Sequence, residues 1–384
     1  MIASIVAAMV LTVPAQVELR GQPGRSAGEV IDVSLDGVRV RDHSGRTVVL
    51  GWDRVRAVGG DFALDAEPYA HEADKAWRAR TRLLRGDALA AEPLFEDLFL
   101  MYEGRTGPTA AMVAEGLLRC RLRRGVQTSA VAPWLALVRA KTDGQPAIPE
   151  AQPVIDAATG LAPMLPPIWL DGPATRAFAL VPEPDVPESG RDRAEALRAW
   201  YRHAARFESG LSERPPSLPP SQDVGLMLVS RVVLARTGNA SERSSSRQWL
   251  NDHASRSMET WQEAWCRAAI GRSLVREAGE DQRRLGVVAL LHVPARFERE
   301  HPFLAGVCLA EAAHTMRGLG DEASARRLMH DLAQRFPGHP ALAWDKTSDL
   351  VPRSTGAPGR SESVMFDRGW MESQVAAAVA EKKR

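Results

Sequence analysis

Glycine-centred breaks, each followed by a polar helix starter, recur at Gly86-Asp87, Gly125, Gly238-Asn239, Gly279-Glu280 and Gly320-Asp321. The first two lie 39 residues apart, and the last three follow one another at intervals of 41. A fixed period in this range predicts stacked helical hairpins, because each hairpin leaves one apolar face bare until a neighbour covers it. Residues 318–340, "GLGDEASARRLMHDLAQRFPGHP", show one half of such a unit. Gly320 is placed to take the left-handed backbone that ends a helix, and Asp321 to cap the next by accepting from an unpaired N–H. Ala325, Leu328, Met329, Leu332, Ala333 and Phe336 then share one helical face. Pro337, which has no N–H to donate, stops the run.

This segment resembles a tetratricopeptide repeat, a pattern met here by Ala325, Met329 and Pro337. Leu309, Ala312, Ala313 and Met316 occupy the matching first-helix positions, and Ala91 with Phe95 and Ala130 with Trp134 repeat the second-helix pair. The Gly279 unit fits when shifted to Gly286 and Leu290, whereas the Gly238 unit departs, carrying Arg243 and Arg247 at those places. The spacing also exceeds that family's period of about 34 residues, so related helical-hairpin solenoids stay open. The resemblance implies a mainly α, TPR-like solenoid whose first helices line a concave groove. Late positions of those helices, the ligand-contacting ones in the family, hold Arg123, Arg236, Arg276 and Arg317, with Arg119 and His314 one turn earlier. Guanidinium groups along a groove would suit the carboxylates of an acidic protein or peptide ligand. A cation in a last helical turn also meets the helix's negative end, worth about 0.3–1 kcal/mol.

A different pattern precedes the helices. Residues 28–58 alternate with the period of two that half-buried strands show: Ile31, Val33 and Leu35 point one way, Asp32 and Ser34 the other. Asp36-Gly37 suits a tight type I′ hairpin and Ser44-Gly45 a second turn, with Val17–Leu19 as a further strand. The spacing is similar to that of SH3-like and Sm-like barrels, which predicts a small antiparallel, barrel-like module over residues 16–61. Its acidic and basic residues offset one another and no aromatic-studded basic face emerges, which argues against RNA as a partner.

Helical repeats are expected over 68–141 and 193–346, with a proline-rich excursion of ten prolines over 142–192 and a flexible tail over 347–384 ending in a short helix near 367–381. Proline at that density excludes regular helix or central strand. Leu165, Ile168, Trp169, Leu170 and Phe178 nevertheless predict an ordered path across the helices. "DVGLMLVSRVVLART", apolar nearly all round, reads as a buried central helix.

The search for chemistry is mostly empty: no GxGxxG, P-loop, GxSxG or HExxH motif is present. Glu311 and His314 have ligand-like spacing but make an incomplete metal site, so neither metal nor cofactor is expected. Cys120, Cys266 and Cys308 form no CxxC pair, although a Cys266–Cys308 bridge is conceivable in an oxidising compartment. The net charge of +1 gives no global attraction to nucleic acid or anionic membrane. The basic residues are 44 Arg against 5 Lys, a skew that a GC-rich coding bias accounts for. Taken together these features predict a noncatalytic protein- or peptide-binding scaffold of the cell envelope or periplasm. The alternative is an enzyme or carbohydrate-binding protein on an α/α body, with a cleft beneath the excursion.

Residues 2–13 form an apolar run too short to span a bilayer but of signal-peptide length, followed by Val13-Pro14-Ala15. This predicts residues 1–15 as a signal peptide, cleavage after Ala15, and export to the periplasm or beyond; the basic flank usual before such a core is missing, and a buried first strand is the other reading of the run. Amino-terminal sequencing of the protein from its native host is expected to begin at Gln16; a retained Met1 would remove the export reading.

Overall fold

The computed structural model describes residues 16–140, 147–182, 192–211, 214–219 and 222–351. The expected signal peptide and terminal helix lie outside the described residues. The chain is mainly helical, with a small antiparallel sheet at its start.

Strands β1 (Gln16–Leu19), β2 (Gln22–Ser34), β3 (Gly37–Arg41), β4 (Thr47–Leu50) and β5 (Val55–Val58) pair in the order β4-β3-β2-β1-β5. The expectation of a barrel is corrected here: β4 and β5 are the two edges and do not pair, so the sheet stays open. The alternation in β2 is also broken. Val30 faces Val40 while Asp32 faces Arg39, which leaves Ile31 as an extra residue. That bulge puts Val30 and Val33, not Ile31 and Val33, against the core. The first hairpin turns on Leu35 and Asp36, with Ser34 opposite Gly37, so it is not type I′. Gly37, at φ +144°, is needed for proximity: a Cβ there would lie 2.2 Å from the Leu50 carbonyl oxygen of the next strand. In the second turn the Asp42 carboxylate accepts from the N–H groups of Ser44 and Arg46.

Helices α1 (Ala63–Ala66), α2 (Ala70–Leu84), α3 (Ala88–Tyr102) and α4 (Pro108–Arg124) follow, then α5 (Gln127–Ala140) and α6 (Pro173–Ala179). Next come α7 (Arg193–Glu208), α8 (Val224–Thr237), α9 (Ala240–Arg256), α10 (Trp261–Leu274), α11 (Glu280–Arg296), α12 (Pro302–Gly318) and α13 (Glu322–Arg335). Two compact units result, residues 16–123 with 132–153 and residues 124–131 with 154–351. In the first, Val17, Val30, Val38, Val40, Trp52 and Val55 of the sheet share a core with Ala66 and Ala73 of the helices. The Trp52 indole N–H donates to the carbonyls of Ser34 and Leu35, and Tyr102 and Thr109 hydroxyls donate to those of Leu35 and Asp36.

In the second unit each helix from α8 to α13 packs on the next, and α10 also touches α8 and α12. The local signals behave as their chemistry dictates. Asp223, Asn239 and Asp321 cap α8, α9 and α13 through their side chains, and Asn239 forms a capping box with Glu242. Gly320 is left-handed at φ +82°, as are Gly86 and Gly125; Gly238 and Gly279 are not, and mark breaks without that geometry. Ala325, Met329 and Leu332 pack with Leu309, Ala310 and Ala313. Where the tetratricopeptide-like pattern fails, α9 substitutes charge for apolar contact: Arg243 and Arg247 both reach Glu277, at 3.4 and 2.7 Å. The chain stays packed past residue 346, since Leu350 belongs to the same core as Trp344.

Helices α10 and α11 meet at paired glycines. A Cβ on Gly286 would lie 2.8 Å from Val275 and 3.0 Å from the Gly271 carbonyl, and one on Gly271 2.7 Å from Leu290. Gly286→Ala therefore forces the helices apart, and a loss of about 1–3 kcal/mol in unfolding free energy is expected from denaturant titration.

Candidate functional site

A proline-rich stretch carries a structural debt that the rest of the chain must settle. Proline supplies a carbonyl but no N–H, so such a segment has surplus acceptors and cannot satisfy them in a ladder. Residues 154–182 run through the second unit in this state, and the few N–H bonds of their ordered core stay local: Leu165 to Ala162, Ile168 to Pro166, Asp156 to Leu161. The carbonyls are met instead by side chains from the helices. Arg193 Nη2 donates to Thr159, Trp265 Nε1 to Pro163 at 2.9 Å, Tyr201 Oη to Leu165, and Arg272 Nη2 to Trp169 at 2.7 Å. Arg202 and Arg206 both reach the carbonyl of Ala179. In return the Trp169 indole donates to the Tyr201 carbonyl at 3.1 Å.

Apolar contact fixes the same path. Leu161, Ala162 and Leu165 are fully buried, and Trp169 stands edge-on to both Phe178 and Tyr201. Gly225 lets the start of α8 come close, because a Cβ there would lie 2.3 Å from the Thr159 carbonyl oxygen.

Behind Arg272 lies a buried charge set. Arg272 bonds Glu311 at 2.7 Å and Glu208 at 3.0 Å, while Arg236 bonds Glu208 at 2.9 Å and lies 3.6 Å from Glu311. Two guanidinium groups face two carboxylates, so the cluster is neutral. Burial pushes the Glu311 carboxyl up, but Arg236 and Arg272 outweigh it and hold the group down at about 2. The same carboxylates raise Arg236 against its burial. A small pocket opens beside the cluster, lined by Pro167, Ile168, Ala204, Val232 and Ala269 with Glu208, Arg236 and Arg272, with room for little more than a water.

The residues expected to line an open cationic groove are placed differently. Arg236 is sunk in the cluster and donates to the Arg272 carbonyl; Arg276 lies over the Phe207 ring and donates to the Arg236 carbonyl. Both therefore sit at the carbonyl ends of helices, the placement that helix polarity favours. Arg317 pairs with Asp349 at 2.9 Å, and His314 stands edge-on to Trp344, its ring pushed below the ordinary histidine range by burial and by Lys346. Arg123 is exposed in the first unit. Arg119, in that unit too, donates to the Glu115 carboxylate and to the carbonyl of Gln152, while Glu115 accepts from the N–H groups of Ala147 and Ile148. The structure thus brings Arg236 and Arg276 together and gives Arg119 a grip on polypeptide, but it makes no open row of guanidinium groups.

Sequence reasoning missed Tyr201, Glu208, Trp265 and Arg272. One signal for the cluster was present: Glu311 is the single charge in the apolar run "FLAGVCLAEAAH", where a carboxylate needs a buried partner. Arg272 lies one turn before Arg276, so the register erred by a turn. Among the described residues no group of three His, Cys, Asp or Glu is placed to hold a metal. Cys120, Cys266 and Cys308 are buried free thiols, with Cys266 pushed up to about 12 by burial. Trp134, Trp169, Trp200 and Trp265 are buried, so they form no exposed carbohydrate platform. Comparison of the chain with family models, curated proteins and solved structures returns no match.

Glu311→Gln keeps the shape but leaves the guanidinium groups short of one charge, and about 3 kcal/mol or more of stability is expected to be lost at neutral pH. The pH dependence follows from the lowered carboxyl. Its stabilisation is complete above its ordinary value of 4.5 and is lost as pH falls towards about 2. Buried His301 and His339, each held near 4, affect both proteins alike. Denaturant midpoints measured from pH 6 to pH 2 should therefore converge for wild type and Glu311→Gln at the acid end.

Proposed function

We propose that this chain is a noncatalytic scaffold that binds extended polypeptide, built from stacked tetratricopeptide-like hairpins and working outside the cytoplasm, in the cell envelope or periplasm. The observation that carries this reading is the grip itself: side chains of α7 and α10 hold an irregular proline-rich stretch by its main-chain carbonyls at Thr159, Pro163, Leu165 and Trp169. Carbonyls are common to every residue, so such a grip selects shape first, and apolar contacts such as those around Trp169 add preference.

The stacking supports the same reading. α10 touches both α8 and α12, as the first helices of successive hairpins do in an array. The ligand favoured is apolar and not acidic, because Arg236 and Arg272 are already neutralised by Glu208 and Glu311. Among the described residues, the stretch packs Leu165, Ile168 and Trp169 against the helices, and the pocket beside them has room for little more than a water.

Screening the full chain against a displayed random peptide library tests the proposal. Enrichment of apolar peptides carrying proline and an aromatic residue, confirmed by saturable binding of the synthetic peptides, is expected. Enrichment of none, or a hydrolytic activity abolished by a single His or Glu substitution, would overturn it.

A further inference from the structure

We infer that residues 159–170 are a ligand docked in cis, and that the face holding them accepts a competing extended peptide with proline and an aromatic residue from another chain. The inference rests on the peptide-binding reading above and adds what regulates that site: occupancy by the chain's own segment.

Three observations carry it. First, the segment's contacts with the helices are those of a bound peptide. Its carbonyls accept from Arg193, Trp265, Tyr201 and Arg272, while the N–H groups of Leu165 and Ile168 bond inside the segment. No strand pairing ties it down, so release breaks side-chain bonds and apolar contacts without unravelling a helix. Second, the receiving face is held in place by partners other than the segment. Arg272 is fixed by Glu208 and Glu311, and Arg236 closes the same cluster from α8. The donor would stay aimed after the Trp169 carbonyl left, and a preorganised donor loses little freedom on binding again. Third, the cluster's charges balance and Arg193 is paired with Asp223, so the vacated face would present an indole N–H, a phenol and two neutralised guanidinium groups, with Val232, Val233 and Ala269 beside Arg272. That chemistry fits an uncharged, proline-bearing segment.

An occupied face binds a competitor with an affinity reduced by the fraction of molecules in which it is free. Loosening the cis segment should therefore tighten binding in trans. Two measurements on the full chain test this. Hydrogen exchange should show the amides of Leu165 and Ile168 opening with the amides of α8, α10 and α12 still protected; exchange of all of them only through global unfolding would overturn the inference with no variant needed. In the second, a fluorescent synthetic peptide of residues 159–171 is titrated into wild type and Trp169→Ala, whose fold is checked by circular dichroism. Folded Trp169→Ala is expected to bind about tenfold more tightly than wild type, and the same peptide with its tryptophan replaced by alanine should lose that gain. Equal affinity for wild type and variant, or no binding to either, overturns the inference. Should library peptides still bind both proteins equally, the scaffold reading stands while the cis-ligand inference falls.

Discussion

The path of residues 159–179 through the second unit is governed by a shortage of donors. A stretch rich in proline brings carbonyls into the interior without the N–H groups that would normally accompany them, and buried acceptors must find partners. The helices answer with long side chains: four arginines, a tyrosine and a tryptophan reach the main chain of residues 159–179. Burying Arg272 for this purpose creates a second demand, since an unpaired guanidinium in the interior is costly. Glu208 and Glu311 meet it, and Arg236 then balances the carboxylates. One covalent fact about proline thus propagates into four charged residues on four helices.

The same solution appears in the first unit on a smaller scale. Glu115 accepts from two successive N–H groups at Ala147 and Ile148, and Arg119 donates to Gln152. Glu115 and Glu311 are each the single carboxylate of their helix, α4 and α12, and each follows directly on a run of small and apolar side chains. In both units an inner-facing carboxylate paired with arginine is what secures irregular backbone.

Much of the local structure was legible in the chain. Caps at Asn239 and Asp321 announce themselves, because a short acceptor side chain just after a glycine break is placed to take an unpaired N–H. The packed face of α13 could be read from its spacing. What the spacing hid was the handling of exceptions. Ile31 forms a bulge that only pairing with β3 reveals, and Gly37 serves a neighbouring strand rather than its own turn. The arginines were legible as a group but not individually: their number reports composition, while their partners come from helices far apart in the chain. Arg272 and Glu311 are separated by 39 residues, and no local pattern links them.

The clasp at Trp52 has a bearing on how this molecule could be dissected. Its indole N–H is shared by two carbonyls of the first hairpin, and hydroxyls from Tyr102 and Thr109 close on the same tip. Val38, Val40 and Ala73 belong to one hydrophobic interior. The switch from strand to helix near residue 61 is therefore a change of local geometry and not a seam. Cutting there would divide one hydrophobic core between two fragments and leave each with a bare apolar face.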